Sequence, residues 1–109
     1  MSSDWEKFLD DLKVEGIGAL KIELLSLLVE TKADSEEFIR DQAQKVEQYL
    51  DQLAKGEITK EQFCGYMQDI KDLIELQSLK MAVAAKTRAQ KLATGIQSMI
   101  LDQLFRLLP

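Results

Sequence analysis

The sequence predicts an all-α protein, and three observations lead to this fold class. Apolar residues recur at steps of three and four along nearly the whole chain, and no run of residues alternates with period two. Strong helix formers such as Leu, Ala, Glu, Lys and Gln dominate the composition. The 109 residues include only five glycines and one proline, and that proline is the last residue, Pro109. At this length we expect a single helical domain covering residues 1–109.

The first half of the chain, about residues 4–55, is predicted to be helical. Residues 3–6 have the pattern of a capping box, which marks a helix start. Near 31–35, Asp34 or Ser35 could cap a second helix, but no glycine or proline enforces a break there. The region therefore forms either one long helix or two helices separated near 31–35.

The second part of this region carries a heptad seam, and a turn follows it. Gly56 ends the helix at a position where a left-handed residue is favoured. Thr59 and Gln62 have the spacing of a capping box that opens the next helix. We therefore expect a turn at 56–59. The seam residues repeat at steps of four, three, four and three, as in a coiled coil: Ile39, Ala43, Val46, Leu50 and Leu53.

The second helix is predicted to run from about residue 60 to residue 108 without interruption. Its apolar seam begins at Phe63 and continues through Met81, and neither of its glycines is a strong enough signal to stop it. Together with the turn, this predicts a long antiparallel helical hairpin in which facing residues have numbers adding to about 115. Straight arms of that length would extend about 75 Å at 1.5 Å per residue.

Two helices alone cannot bury all the apolar side chains of this sequence. A hairpin seam uses about two positions in seven. In residues 14–29, however, ten of sixteen residues are apolar and larger than glycine, and they lie all round the helix. Burying the surplus is worth roughly 8–15 kcal/mol, and residues 92–108 show the same excess at the same open end. We therefore expect hairpins to associate into an oligomeric helical bundle, most simply a dimer; the alternative is a monomeric three-helix bundle.

From this we expect a non-enzymatic helical assembly or adaptor protein that acts through self-association and protein–protein contacts of its apolar open end. The predicted contact residues come from both arms: Ile17, Leu20, Leu24, Leu28, Leu92, Ile96, Met99, Ile100, Leu104, Phe105 and Leu108. Two alternatives stay open. Residues 92–108 could lie on a lipid or membrane surface as an amphipathic helix, although their polar face lacks the usual Lys and Arg. The chain could also be a small chaperone or regulator that holds a helix of a protein partner.

The charge pattern argues against nucleic acid as a partner, because the chain is acidic, with a net charge of −5. The charges are distributed unevenly: residues 1–62 carry −7 and residues 63–109 carry +2. No acidic residue lies between residues 76 and 101, where Lys80, Lys86, Arg88 and Lys91 are found. In the hairpin this basic stretch lies beside the acidic first arm, which predicts that Glu30 approaches Lys86.

The composition predicts no catalytic, cofactor or metal site. The chain has no histidine and a single cysteine, which excludes His-based triads and zinc sites built from several Cys or His. Adjacent acids such as Asp10 and Asp11 point in different directions on a helix, so they do not form a pair for acid–base chemistry. We therefore expect no enzymatic activity. The lone Cys64 fits a reducing, cytoplasmic setting.

Overall fold

The computed structural model describes residues 3–109, and this part of the chain consists of helices and the turns between them. The predicted all-α fold class is confirmed. The last long helix continues into a π-helical stretch and a final α-helical turn. In chain order the elements are α1 (Asp4–Leu12), α2 (Ile17–Lys32), α3 (Glu37–Ala54), α4 (Lys60–Ser78), α5 (Val83–Gly95), the π-helix (Ile96–Leu104) and α6 (Phe105–Leu107).

The described helices fold into a globule instead of two extended arms. The principal-axis extents are 41 × 26 × 21 Å, well short of the length of a straight hairpin. Helix α3 lies at the centre and contacts α1, α2, α4 and α5. The chain turns back on itself because it is interrupted at 13–16, 33–36 and 79–82 as well as at the expected turn.

The first interruption separates α1 from α2. Lys13 has φ 52° and Gly16 has φ 86°, both in the left-handed region that glycine tolerates because it has no Cβ. Helix α1 therefore folds back against α2 and α3. The predicted capping box of residues 3–6 is not formed, since the Ser3 hydroxyl caps no backbone N–H and instead donates to Glu6 Oε1 at 3.1 Å.

The second interruption, at 33–36, lies at the possible break that the sequence predicts near 31–35, and hydrogen bonds of Asp34 stabilise it. Asp34 Oδ1 accepts a hydrogen bond from the backbone N–H of Glu36 at 2.8 Å, and Oδ2 accepts one from Arg88 Nε at 2.8 Å. Residues 4–55 therefore contain three helices and not one or two, because the interruption at 13–16 was not predicted.

The turn around Gly56 follows the prediction closely. Gly56 has φ 73°, and the capping box of Thr59 and Gln62 is formed in both directions. Helices α3 and α4 pack as an antiparallel hairpin, with the rings of Tyr49 and Tyr66 stacked at 4.6 Å between centroids. That pair fits the register expected from the turn.

The predicted uninterrupted helix over 60–108 is wrong, because α4 ends at Ser78. The buried Ser78 hydroxyl donates to the carbonyl of Glu75 at 2.8 Å, a local bond of the kind that bends or ends helices. Ala82 is extended, with ψ 154°. Helix α5 then starts in a new direction at Val83.

This interruption sets the register of α5 against α2. Lys91 Nζ lies 3.0 Å from Glu30 Oε1, so the predicted approach of Glu30 to Lys86 is wrong. The two helices come close together at Gly95, where any side chain would overlap Leu27 Cδ2.

The core is one cluster formed by the inward faces of the helices. The π-helix contributes Ile96, Ile100 and Leu104, all buried. In an α-helix of 3.6 residues per turn, side chains spaced four residues apart shift gradually from one face of the helix to the next. The wider i→i+5 turn of a π-helix offsets this shift, so side chains at four-residue spacing stay on the core face. The backbone N–H of Phe105 donates to the carbonyl of Ile100 in this wider pattern.

Candidate functional site

The predicted contact residues lie mostly inside the folded chain. Two of them are half-buried, Met99 and Phe105, and Lys60 Nζ lies 4.5 Å from the centre of the Phe105 ring. The expected open end does not exist in this fold, because the interruptions let α2 pack against α1, α5 and the π-helix, and let α4 pack against the π-helix. The remaining nine are buried: Ile17, Leu20, Leu24, Leu28, Leu92, Ile96, Ile100, Leu104 and Leu108.

A different set of apolar side chains is exposed at the junction of α4 and α5. Leu76, Leu79 and Val83 are 58 %, 71 % and 82 % exposed, and Leu73 is at the border of exposure at 37 %. Single exposed apolar residues are ordinary, whereas a group of them marks an interaction site. We call these four residues the corner surface.

A small groove between α3 and α4 adjoins the corner surface through Leu73. Its volume is about 250 Å³, and Tyr49 and Tyr66 line it together with Gln42. Gln42 is buried, and its Oε1 atom has no hydrogen-bond partner among residues 3–109. A buried acceptor without a donor is costly in a folded protein, so this side of the α3–α4 hairpin is incompletely satisfied.

The outer face of α2 carries a second apolar area. Ile22 is 65 % exposed and Val29 is 58 % exposed. Ile22 and the half-buried Met99 line a groove of about 360 Å³, which we call the α2 groove, and Glu23 and Glu30 stand in its wall. The lining of the groove is mostly apolar, which suits the side chains of another helix.

A group of polar contacts around Trp5 fastens α1 to α3. Trp5 is completely buried, and its indole Nε1 donates to Glu47 Oε2 at 3.2 Å. The other oxygen of Glu47 pairs with Lys32 Nζ at 2.7 Å. Asp51 Oδ1 accepts the backbone N–H of Trp5 at 3.1 Å, so a side chain of α3 caps the start of α1.

Within this group of contacts, the pKa of Asp51 is raised above its ordinary value. Burial disfavours its charged form, and the nearby carboxylates of Glu47 and Asp4 raise the pKa further, while the Trp5 N–H and Lys55 lower it. Both carboxylates are, however, occupied by Trp5 and Lys32. The arrangement therefore anchors α1 against α3.

The basic stretch predicted at 80–91 divides into two parts. Arg88 pairs with Asp34, and Lys91 pairs with Glu30, so these two charges are used within the fold. Lys80 and Lys86 form no ion pair with any residue in 3–109. The positive charge left for other molecules therefore lies near the start of α5.

The sequence contains a signal for the corner surface that lies outside the heptad seam. Leu73, Leu76 and Leu79 follow one another at three-residue steps but lie off the seam through Ile70 and Ile74. They form a second apolar stripe on one helix, and a single core cannot cover both stripes. For α2, the corresponding signal of exposed apolar residues is the prediction that its apolar side chains lie all round the helix.

Other classes of site are not found in the described residues. No group of three or more His, Cys, Asp or Glu side chains in residues 3–109 is arranged to hold a metal ion. Among the described helices, none combines the length and the apolar character needed to cross a bilayer. Comparisons of the sequence with protein-family models and curated proteins, and of the fold with solved structures, found no match.

Proposed function

We propose that this chain is a non-enzymatic assembly protein that acts through protein–protein contacts, and that it associates with a second copy of itself. One observation carries the proposal: the corner surface leaves Leu76, Leu79 and Val83 largely in water. Closed symmetric dimers are the commonest oligomers of soluble proteins, and their interfaces are more apolar than the rest of the surface. A cytoplasmic setting belongs to the proposal and is supported by the free thiol of Cys64.

The proposal moves the contact away from the residues first predicted. Nine of those eleven side chains already stabilise the single chain, so exposing them for a partner would cost the core that they form. The corner surface can be covered without any change of fold. It therefore replaces the open end as the region where self-association takes place.

Two matched substitutions test the proposal. Leu76 and Val29 are both 58 % exposed, the first on the corner surface and the second on α2. We expect Leu76→Glu to leave the protein monomeric in sedimentation velocity at micromolar concentration, because a charge cannot be buried without a partner. Val29→Glu should associate like the unchanged protein. A monomeric unchanged protein, or equal association of both variants, would contradict the proposal.

The α2 groove supports a second function, that of a small chaperone or regulator which holds a partner's helix. Ile22 stands on the groove wall and is 65 % exposed. Ile22→Arg should release such a partner from the protein purified out of its native cells, and Leu76→Glu should not. Retention of the partner by Ile22→Arg would rule the groove out.

The lipid-surface alternative requires a rearrangement of the fold. Leu92, Ile96 and Ile100 are completely or almost completely buried, so the segment 92–108 would have to leave the core to present an apolar face to lipid. We therefore expect the protein to stay at the bottom of a gradient on which liposomes float.

A further inference from the structure

We propose that two copies pair through an antiparallel contact of α4 centred on Leu76, with Asp72 of each copy facing Lys80 of the other. The inference rests on the proposed self-association and adds its geometry. The contact involves exposed side chains of α4 and of the turn that follows it.

The apolar side chains fit a two-fold axis at Leu76. In a symmetric dimer, if residue i contacts residue j, then residue j contacts residue i. Leu73 and Leu79 lie three residues before and after Leu76. An antiparallel copy therefore sets Leu76 against Leu76 and Leu73 against Leu79, so these three leucines of both chains are covered together.

The charges change sign at the same residue. Residues 69–75 carry three acids, Asp69, Asp72 and Glu75, and one base, Lys71, whereas no acid follows Leu76 until residue 102. Asp72 and Lys80 lie four residues before and after Leu76, so the same axis sets Asp72 of one copy at the level of Lys80 of the other. This coincidence of apolar centre and charge reversal favours a second copy of this chain as the occupant.

Asp72 and Lys80 are both free to make such a contact. Both residues are exposed, and within residues 3–109 neither forms an ion pair. Asp72 accepts a single side-chain hydrogen bond, from Gln68 Nε2 at 3.1 Å. By contrast, Lys71 and Glu75 pair with each other at 3.4 Å on the flank of the helix.

A parallel pairing of the same helices is disfavoured by the same charges. It would bring Asp72 against Asp72 and Lys80 against Lys80. Juxtaposed like charges weaken association strongly. The antiparallel orientation is therefore the one in which both copies gain opposite-charge contacts at each end of the apolar centre.

Charge reversal with mixing tests this geometry. In a homodimer of Asp72→Lys, position 72 of each copy faces Lys80 of the other, so two lysines meet at each contact. In a homodimer of Lys80→Asp, two aspartates meet at each contact. We expect each variant alone to associate at least about tenfold more weakly than the unchanged protein in sedimentation velocity. An equimolar mixture of the two variants restores opposite charges at both contacts, so its association should return to within about threefold of the unchanged protein. Thermal unfolding of each variant is the control for folding.

The outcomes distinguish the geometry from the proposed function. If the unchanged protein dimerises and Leu76→Glu does not, but both charge variants dimerise normally, the register is wrong and the corner surface stands. If the mixture is as weak as the separate variants, the antiparallel pairing is wrong. If the unchanged protein is monomeric, both the geometry and the proposed function are contradicted.

Discussion

The buried indole of Trp5 shows how single residues decide the path of this chain. A large aromatic ring with one N–H donor is stable in a core only if that donor has a partner, and Glu47 supplies it. Asp51 caps the same helix from a different element. The sequence contains no signal that the partners of Trp5 lie more than forty positions away.

Asp51 gives a prediction about the cap of α1. Asp51→Ala removes the acceptor of the Trp5 N–H and should lower the free energy of unfolding by about 0.5–2 kcal/mol. Asp51→Asn keeps an acceptor and removes a charge whose pKa is raised by burial, so at pH 7 it should match or exceed the stability of the unchanged protein. Urea unfolding followed by Trp5 fluorescence measures both. Equal losses in the two variants would contradict the capping role.

The charge of Asp34 makes the free energy of unfolding depend on pH. The hydrogen bond from Arg88 is the main cause that lowers the pKa of Asp34 below its ordinary value of 3.8, although burial opposes it. A lowered pKa in the folded state means that the stabilisation is complete above pH 3.8 and is lost as the pH falls through the folded-state value. Asp34→Asn should therefore cost up to about 1 kcal/mol at pH 7, since Arg88 is partly exposed.

A double-mutant cycle checks this contact. Arg88→Gln should also lower stability at pH 7, and combining it with Asp34→Asn should add little. The difference between the unchanged protein and Asp34→Asn should shrink as unfolding is measured at pH values falling below 3.8. A difference that is independent of pH would show that the charge of Asp34 is not what stabilises the interruption at 33–36.

At the scale of elements, turns and helix starts that depend on local sequence signals could be predicted, whereas interruptions that depend on packing between helices could not. The Gly56 turn, its capping box and the α3 seam follow from glycine conformation and heptad spacing, and the structure contains all of them. The interruption at 79–82 has no glycine or proline; there the Ser78 hydroxyl donates to the carbonyl of Glu75, and α5 packs against α4 and α2. Tertiary contacts of this kind override local helix propensity.

Two glycines inside helices make the packing of α5 against α2 testable. Gly95→Ala places a methyl group where Leu27 Cδ2 now lies, so the cost of overpacking should exceed the gain in helix propensity and lower stability by about 1 kcal/mol. Gly65→Ala has open space around it and should raise stability by up to about 1 kcal/mol. Thermal unfolding compares them, and a gain at both positions would contradict the close approach.

At the scale of the whole molecule, the sequence predicted an apolar surplus but placed most of it wrongly. The apolar surplus at 92–108 follows only from a hairpin with an open end. In the structure most of these side chains are buried, because the chain folds back on itself. On α2 a surplus remains at Ile22 and Val29, as the distribution all round the helix indicated. The heptad seam of the hairpin does not include the corner surface, whose signal in the sequence is the second stripe of Leu73, Leu76 and Leu79.

The central claim is that the corner surface brings two chains together, and the solution molar mass of the unchanged protein tests it most directly. The chain has a mass of 12.4 kDa. Sedimentation equilibrium over a series of micromolar concentrations should give an average mass that rises with concentration toward twice that value. An average mass that stays at 12.4 kDa at every concentration would contradict the account.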